Sequence, residues 1–305
     1  MATAKQNKSN SKTWKMVVIM LIAMIIIFGI ALIAKVSSNL NLAPAIAVIP
    51  IEGEIGINGA ADPIAISKLI TKADKDITVE AIILEINSPG GSVVASKEIA
   101  NAVKSAQKPT VAWIREVGAS GAFWAATSAD KVVADPASLT GSIGVEASYI
   151  DFSKAMDKYG ITYNQLVTGD LKDTGSPYKE LTPKEKEYLM GKIITIKDIF
   201  VASIAANRNL TFDFVNSKAT GEIWLGSEAK DMGFVDVLGG KAEAQAVAQQ
   251  LANITKSRLV TMEAPRPLLA DLLSGNMQSM SYWIGRGIGD SWTALASNSK
   301  LQVNT

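Results

Sequence analysis

The sequence predicts an α/β domain carried behind an N-terminal transmembrane helix. Strand-like and helix-like segments alternate at short intervals between residues 45 and 134, the pattern of crossover units with helices packed on a sheet. The strongest strand, residues 79–86 (Val-Glu-Ala-Ile-Ile-Leu-Glu-Ile), has a continuous apolar centre, as a buried strand does. Residues 16–34 run for 19 positions without a charged or polar side chain. At a helical rise of 1.5 Å that is about 28 Å, close to the ~30 Å hydrocarbon core of a bilayer.

The elements follow in order. Residues 1–15 form a basic tail with Lys5, Lys8, Lys12 and Lys15 and no acid, and Trp14 sits where an interfacial anchor would. The apolar run exceeds the ~7–15 residues of a signal-peptide core, which favours an uncleaved anchor. The lysines before it favour a cytoplasmic N-terminus, with the rest of the chain outside the cytoplasm. Residues 35–44 read as a linker and residues 45–51 as the first strand. A helix is expected over 64–73, a strand over 79–86, a helix over 92–106, a strand over 110–114, a helix over 120–128 and a strand over 131–134. A long helix over 182–207 opens on Thr182-Pro183-Lys184-Glu185, a capping box with proline in the first turn. A short strand at 235–237 and a helix at 241–253 complete a domain spanning 45–254. Residues 255–305 form an extension. In it Leu268, Leu269, Leu272, Leu273, Met277, Met280, Trp283, Ile284, Ile288 and Trp292 make a helical stripe, read as a subunit contact or core cap in preference to a membrane-surface helix.

Composition removes several chemistries. The chain of 305 residues has no histidine and no cysteine, so a Ser-His-Asp triad, a thiol nucleophile and disulfides are all excluded. No metal or cofactor is expected. Residues 1–35 hold five of the 30 basic residues and none of the 29 acidic ones, which leaves residues 36–305 with 25 basic against 29 acidic, a net −4. A weakly acidic domain lacks the electrostatic footprint for nucleic acid.

One serine has a setting suited to attack. In Gly118-Ala119-Ser120-Gly121-Ala122 it follows a strand and opens a helix among small residues that let a substrate backbone approach. Serine also favours helix N-caps, so this placement alone allows a purely structural role. Ser88-Pro89-Gly90-Gly91 ends the buried strand, and there the Gly91 amide can face an oxyanion together with that of Gly121. With no imidazole, the proton of Ser120 must go to a lysine or a carboxylate. Lys172, in Thr168-Gly169-Asp170-Leu171-Lys172-Asp173, is the leading candidate, with Lys131 and Lys154 as rivals. A lysine base must be neutral, so it is expected to be buried, since burial disfavours the ammonium form. Ser142, in Thr140-Gly141-Ser142-Ile143-Gly144, is placed to orient such a lysine.

These four segments, in this order, resemble the signal peptide peptidase A group of peptidase family S49, over about residues 45–254. The resemblance implies a Clp protease/crotonase-like fold and a dome-shaped homo-oligomeric ring in which neighbouring subunits help form each active site. It also implies a Ser-Lys dyad, with Ser120 as nucleophile, Lys172 as general base, Ser142 steadying the lysine, and Gly91 in the oxyanion hole. The expected substrates are remnant signal peptides and other short hydrophobic peptides. One anchor and one catalytic domain match the short form of the family. Ala122 stands where the family often has glycine, and Phe123 where it often has tyrosine. Two other classes compete: a crotonase-like enzyme acting on coenzyme A thioesters, and a catalytically inactive membrane scaffold.

Overall fold

The computed structural model describes residues 14, 16–30, 43–57 and 59–263. Residues 16–30 are helical (α1), and their side chains are almost all exposed. Among the described residues no helix is long and apolar enough to cross a membrane. Residues 31–34 of the expected anchor, and the whole stripe after residue 263, lie outside the described residues.

The domain is built on three adjacent parallel strands, β1 (Ala45–Glu52), β2 (Val79–Ser88) and β3 (Thr110–Ala119). They are connected by α2 (Pro63–Lys75) and α3 (Val93–Ser105). Side chains alternate across the sheet. Along β1, Ala45, Ala47, Ile49 and Ile51 enter one core, and Ile46 and Val48 enter the other. Along β2, Ile82, Leu84 and Ile86 oppose Ala81 and Ile83 in the same way. Both faces are covered, so the strands read as unbroken apolar runs and not as alternating ones.

The sheet has eight strands in the order β6-β5-β3-β2-β1-β8, with β4 on β3 and β7 on β4. Strand β3 divides its pairing between two neighbours. Its first half, Val111 to Ile114, pairs with β4 (Lys131–Ala134), and its last three residues pair with β5 (Leu139–Gly141). The sequence reading stops β3 at residue 114, where Arg115 and Glu116 interrupt the apolar run. The backbone continues because Val117, Gly118 and Ala119 gain β5 as a partner. Strand β5 also pairs antiparallel with β6 (Ile223–Leu225), and each of these is three residues long, too short to carry a periodic signal. Strand β7 is Val237–Leu238, later than the expected 235–237, because Phe234 and Val235 are spent on the core instead. Strand β8 (Arg258–Thr261) pairs with β1, so the sheet extends past residue 254. The polar run Thr255-Lys256-Ser257-Arg258 hides that strand from pattern reading.

One core face is covered by α2, α3, α4 (Gly121–Thr127) and the C-terminal half of α6 (Pro183–Arg208). The other is covered by α9 (Lys241–Leu251), whose small Ala244 and Ala248 let it lie close to the sheet. Short helices α5 (Ser153–Lys158), α7 (Phe212–Lys218) and α8 (Gly226–Asp231) are the remaining helices among the described residues. Helix α6 starts at its capping box: the Thr182 hydroxyl accepts from the Glu185 amide at 3.3 Å, and the Glu185 carboxylate accepts from the Thr182 amide at 2.8 Å. Only its second half, with Phe200, Val201, Ile204 and Ala205, packs into the apolar core. Tyr188, Met190, Ile194 and Ile199 stand exposed.

Candidate active site

The C-terminal ends of β2, β3 and β5 meet at one point, the usual place for a site on a parallel sheet. Helix α4 begins one residue after β3, and the residue between them is Ser120. The expected helix start at 120 shifts to 121, because Ser120 takes φ 50° and ψ −122°, a conformation no helix contains. A non-glycine residue held there costs about 1–3 kcal/mol, and such strain persists only where the surroundings enforce it. They do so here. The Ser120 amide donates to the Gly141 carbonyl at 2.8 Å, and the Trp124 amide donates to the Ser120 carbonyl at 3.0 Å. Behind the turn, Phe123 packs edge-on against Trp224 and Phe234, and Trp124 stacks on Phe200. The Trp124 indole N–H donates to the Ser203 hydroxyl at 2.8 Å, which ties α4 to α6.

The Ser120 hydroxyl makes no capping hydrogen bond, so the N-cap explanation does not use it. Ala122 and Phe123, the two positions that depart from the family pattern, are fully buried in the core. Their side chains therefore shape the support of the turn and not the surface a substrate meets.

Beside this turn lies the loop after β2. Ser88 accepts from the Gly90 amide at 3.2 Å, which closes the Pro-Gly turn on itself. Gly90 has φ 98°, and a Cβ there would fall 2.6 Å from the Gly121 nitrogen and 2.9 Å from the Ser120 Cβ. Only glycine fits between the two loops. Ile55 clamps the far side: its amide donates to the Gly90 carbonyl at 2.8 Å, and its carbonyl accepts from the Ser92 amide at 2.9 Å. That pairing bypasses the Gly91 amide. Gly121 is the first residue of its helix and has no earlier carbonyl to bond. Neither amide has a protein acceptor among the described residues. A Cβ at Gly121 would sit 2.0 Å from the Ser96 hydroxyl and 3.5 Å from the Gly91 nitrogen. Two unspent N–H groups thus lie close together beside a strained serine, as an oxyanion site requires.

Ser142 comes to the same place. It follows Gly141, which is the register partner of Ala119, so Ser120 and Ser142 are the next residues along two paired strands. Ser142 also has a positive φ, 51°, and its amide donates to the Glu222 carbonyl at 2.7 Å. Gly141, at φ 79°, lies under Trp224, whose ring would meet a Cβ at 2.5 Å.

Lys172 behaves differently. It lies in a turn before α6, with its amide on the Gly169 carbonyl, and it is exposed. The expected burial is not met within one chain: residues 168–173 are exposed or half-buried and belong to neither core. No hydrogen bond joins Lys172 to either serine among the described residues. The rivals are occupied: Lys131 pairs with Asp236 at 3.2 Å, and Lys154 pairs with Glu180 at 3.0 Å. The hydrogen bond and charge of Glu180 hold the Lys154 ammonium above the usual lysine range, the wrong direction for a base.

Sequence reasoning missed three contributors to the site: Ile55, Ser96 and Trp224. Ser96 is fully buried, and its hydroxyl has no partner among the described residues. The available signal was its spacing, four residues after Ser92 on the inward face of α3.

A largely parallel α/β domain with a strained serine beside two free amides fits one class, the serine-type peptidases. Comparison with known proteins gives the family. The profile of Peptidase family S49 matches residues 102–255, about half of the chain, and the chain belongs to this family. It is 35% identical over 226 residues to the "Putative protease MJ0651" of Methanocaldococcus jannaschii, which covers 73% of this chain and 71% of that one. It is 31% identical to Protease 4 of Haemophilus influenzae over 80% of this chain, and there it spans only 43% of the relative's length. Among solved structures, the 1510-N membrane-bound stomatin-specific protease with a substrate peptide aligns over 76% of this chain and 97% of its own, at TM-score 0.51 and 17% identity. That likeness speaks for a shared fold.

Proposed function

We propose that the chain is a membrane-anchored serine endopeptidase with a Ser-Lys dyad, acting on remnant signal peptides and other short hydrophobic peptides. The observation that carries this reading is Ser120, held at φ 50° with its hydroxyl spent on no cap, beside the free amides of Gly91 and Gly121. In the reaction Ser120 Oγ attacks the scissile carbonyl and Lys172 accepts its proton. The two amides stabilise the oxyanion, each by about 2.7–4 kcal/mol. Lys172 then returns the proton to the leaving amine, and water, deprotonated by the same lysine, hydrolyses the acyl-enzyme. Ser142, next to Ser120 across the β3–β5 pair, holds the neutral amine by a hydrogen bond.

Of the three candidate lysines, Lys172 alone has no carboxylate partner among the described residues, which favours it as the base. Its exposure argues that a second copy of the chain completes the site. Exposed Leu166 and Val167 precede the turn, and Tyr188, Met190, Ile194 and Ile199 stand exposed on the helix α6 that follows it. Apolar area of this kind is a natural contact between subunits of a ring. The exposed apolar helix α1, the basic residues before it and the uncharged run through residue 34 support a single-span anchor with the domain outside the cytoplasm.

The test is direct. Purified full-length protein should be labelled at Ser120 by a fluorophosphonate and should cleave a hydrophobic signal-peptide substrate. Ser120→Ala should lose both, with at least a ~1,000-fold drop in turnover and an unchanged circular dichroism spectrum. Retained turnover in that variant would remove Ser120 as the nucleophile.

A further inference from the structure

Two carboxylates flank the proposed base, Asp170 two residues before Lys172 and Asp173 directly after it. A carboxylate this close favours the charged form of a lysine, and a general base has to be neutral. Both acids are engaged by other lysines. Asp170 pairs with Lys184 at 3.1 Å on the open surface, the two side chains being 83% and 68% exposed. Asp173 is only 10% exposed. It pairs with Lys179 at 2.5 Å and also accepts from the Gln165 amide.

Lys179 reaches further. Its ammonium also contacts Glu185 at 2.7 Å, and Glu185 is 2% exposed. The same carboxylate accepts from the Thr182 amide and hydroxyl at 2.8 and 2.9 Å, and Thr174 Oγ1 lies 3.5 Å away. The capping residue of α6 is thus joined through one lysine to the residue next to Lys172.

We propose that Lys179 is a positioning residue for the dyad: by capturing Asp173 and fastening it to Glu185, it keeps that carboxylate from pairing with Lys172 and fixes the turn that presents the base. This inference rests on the Ser-Lys reading above. Charge bookkeeping around Lys172 supports it. On its own turn stand Asp170 and Asp173, and at the start of α6 stand Lys184 and Glu185; Asp173 is the turn carboxylate shielded from water, and Lys179 draws it to Glu185 and away from the base. The hydrogen bond from Lys179, then that from Gln165, holds the Asp173 carboxyl below its usual range, and Asp173 and Glu185 hold the Lys179 ammonium above its own. Both partners therefore remain charged across the working range of a peptidase. The surface pair Asp170–Lys184 is screened by water and contributes little, which makes it an internal control.

The experiment measures the pH dependence of kcat and KM on a hydrophobic peptide for the full chain. Lys179→Met should move the acid limb of kcat toward alkaline pH by about one unit, lowering the rate at neutral pH about tenfold with little change in KM. Lys179→Arg should keep the wild-type profile. Adding Asp173→Asn to Lys179→Met should return the limb toward its original position, a rescue that a purely structural role would not give. Lys184→Met should leave the profile unchanged. A wild-type limb in Lys179→Met overturns the proposal, and so does a rate loss that Asp173→Asn fails to rescue. Lys172→Ala in the same series separates the two readings: its retained activity would dismiss the dyad itself, whereas an inactive Lys172→Ala beside an unaltered Lys179→Met would dismiss only the role of Lys179.

Discussion

Replacing Lys172 by alanine or by arginine should abolish peptide cleavage alike. Arginine keeps the charge but cannot give up its proton in a protein, so it fills the space of the base without its chemistry. Lys131→Ala should be mild by comparison, costing at most a few-fold in kcat, because Lys131 is a half-exposed partner of Asp236. Turnover assays on the three variants check this, and an active Lys172→Arg would show a cation at work and not a base. At this scale the sequence was informative to different degrees. Ser120, Gly121, Gly91 and Ser142 were legible because each lies in a short, glycine-marked segment at a strand end, and the structure gathers all four. What the sequence did not reveal is that Ser120 and Ser142 share a positive φ. That conformation is imposed from outside, by the Gly141 carbonyl, Glu222 and the aromatic wall around Trp224.

Between elements, Asp236 makes a three-way tie away from the site. It accepts from the Val132 amide at 2.8 Å and pairs with Arg208 at 2.7 Å and Lys131 at 3.2 Å. It thereby locks the end of α6 and the approach to β7 onto β4. Burial by itself would raise the Asp236 carboxyl, yet the Val132 amide and the Arg208 charge outweigh it, and its pKa lies below the usual value. Because the folded pKa is depressed, this contribution to stability is present in full above the unfolded value of ~3.9 and is lost as pH falls through the folded one. Melting temperature should therefore drop from about pH 4 downward. Asp236→Asn should flatten that dependence and cost about 3 kcal/mol at neutral pH, since it strands an Arg208 side chain that is only 7% exposed. Thermal melts of both proteins between pH 2.5 and 7 test it, and an unchanged slope would assign acid sensitivity to other carboxylates. Elements with a long periodic or capped signature, such as β2, α3 and α6, were readable in advance. Strands β5, β6 and β8 were not, because three or four residues carry no period and their partners lie far away in the chain.

For the whole molecule, the prediction concerns topology. Four lysines precede an uncharged apolar run, so the domain from residue 45 onward should lie outside the cytoplasm. Protease added to intact, wall-stripped cells should digest it, and a variant lacking residues 1–44 should leave the membrane fraction. Protection of the domain in intact cells would mean the opposite orientation.

The sequence by itself ruled out a histidine base and a cysteine nucleophile within this chain, because it contains neither residue. It also determined the parallel α/β plan, because apolar runs buried on both faces admit few other arrangements. The tertiary structure alone decided the rest. It set the split pairing of β3 that brings Ser142 beside Ser120, the clamp of Ile55 that leaves the Gly91 amide free, and the capture of Asp173 by Lys179. The first two are contacts that no local pattern encodes, because each depends on where the fold places two stretches of chain relative to one another.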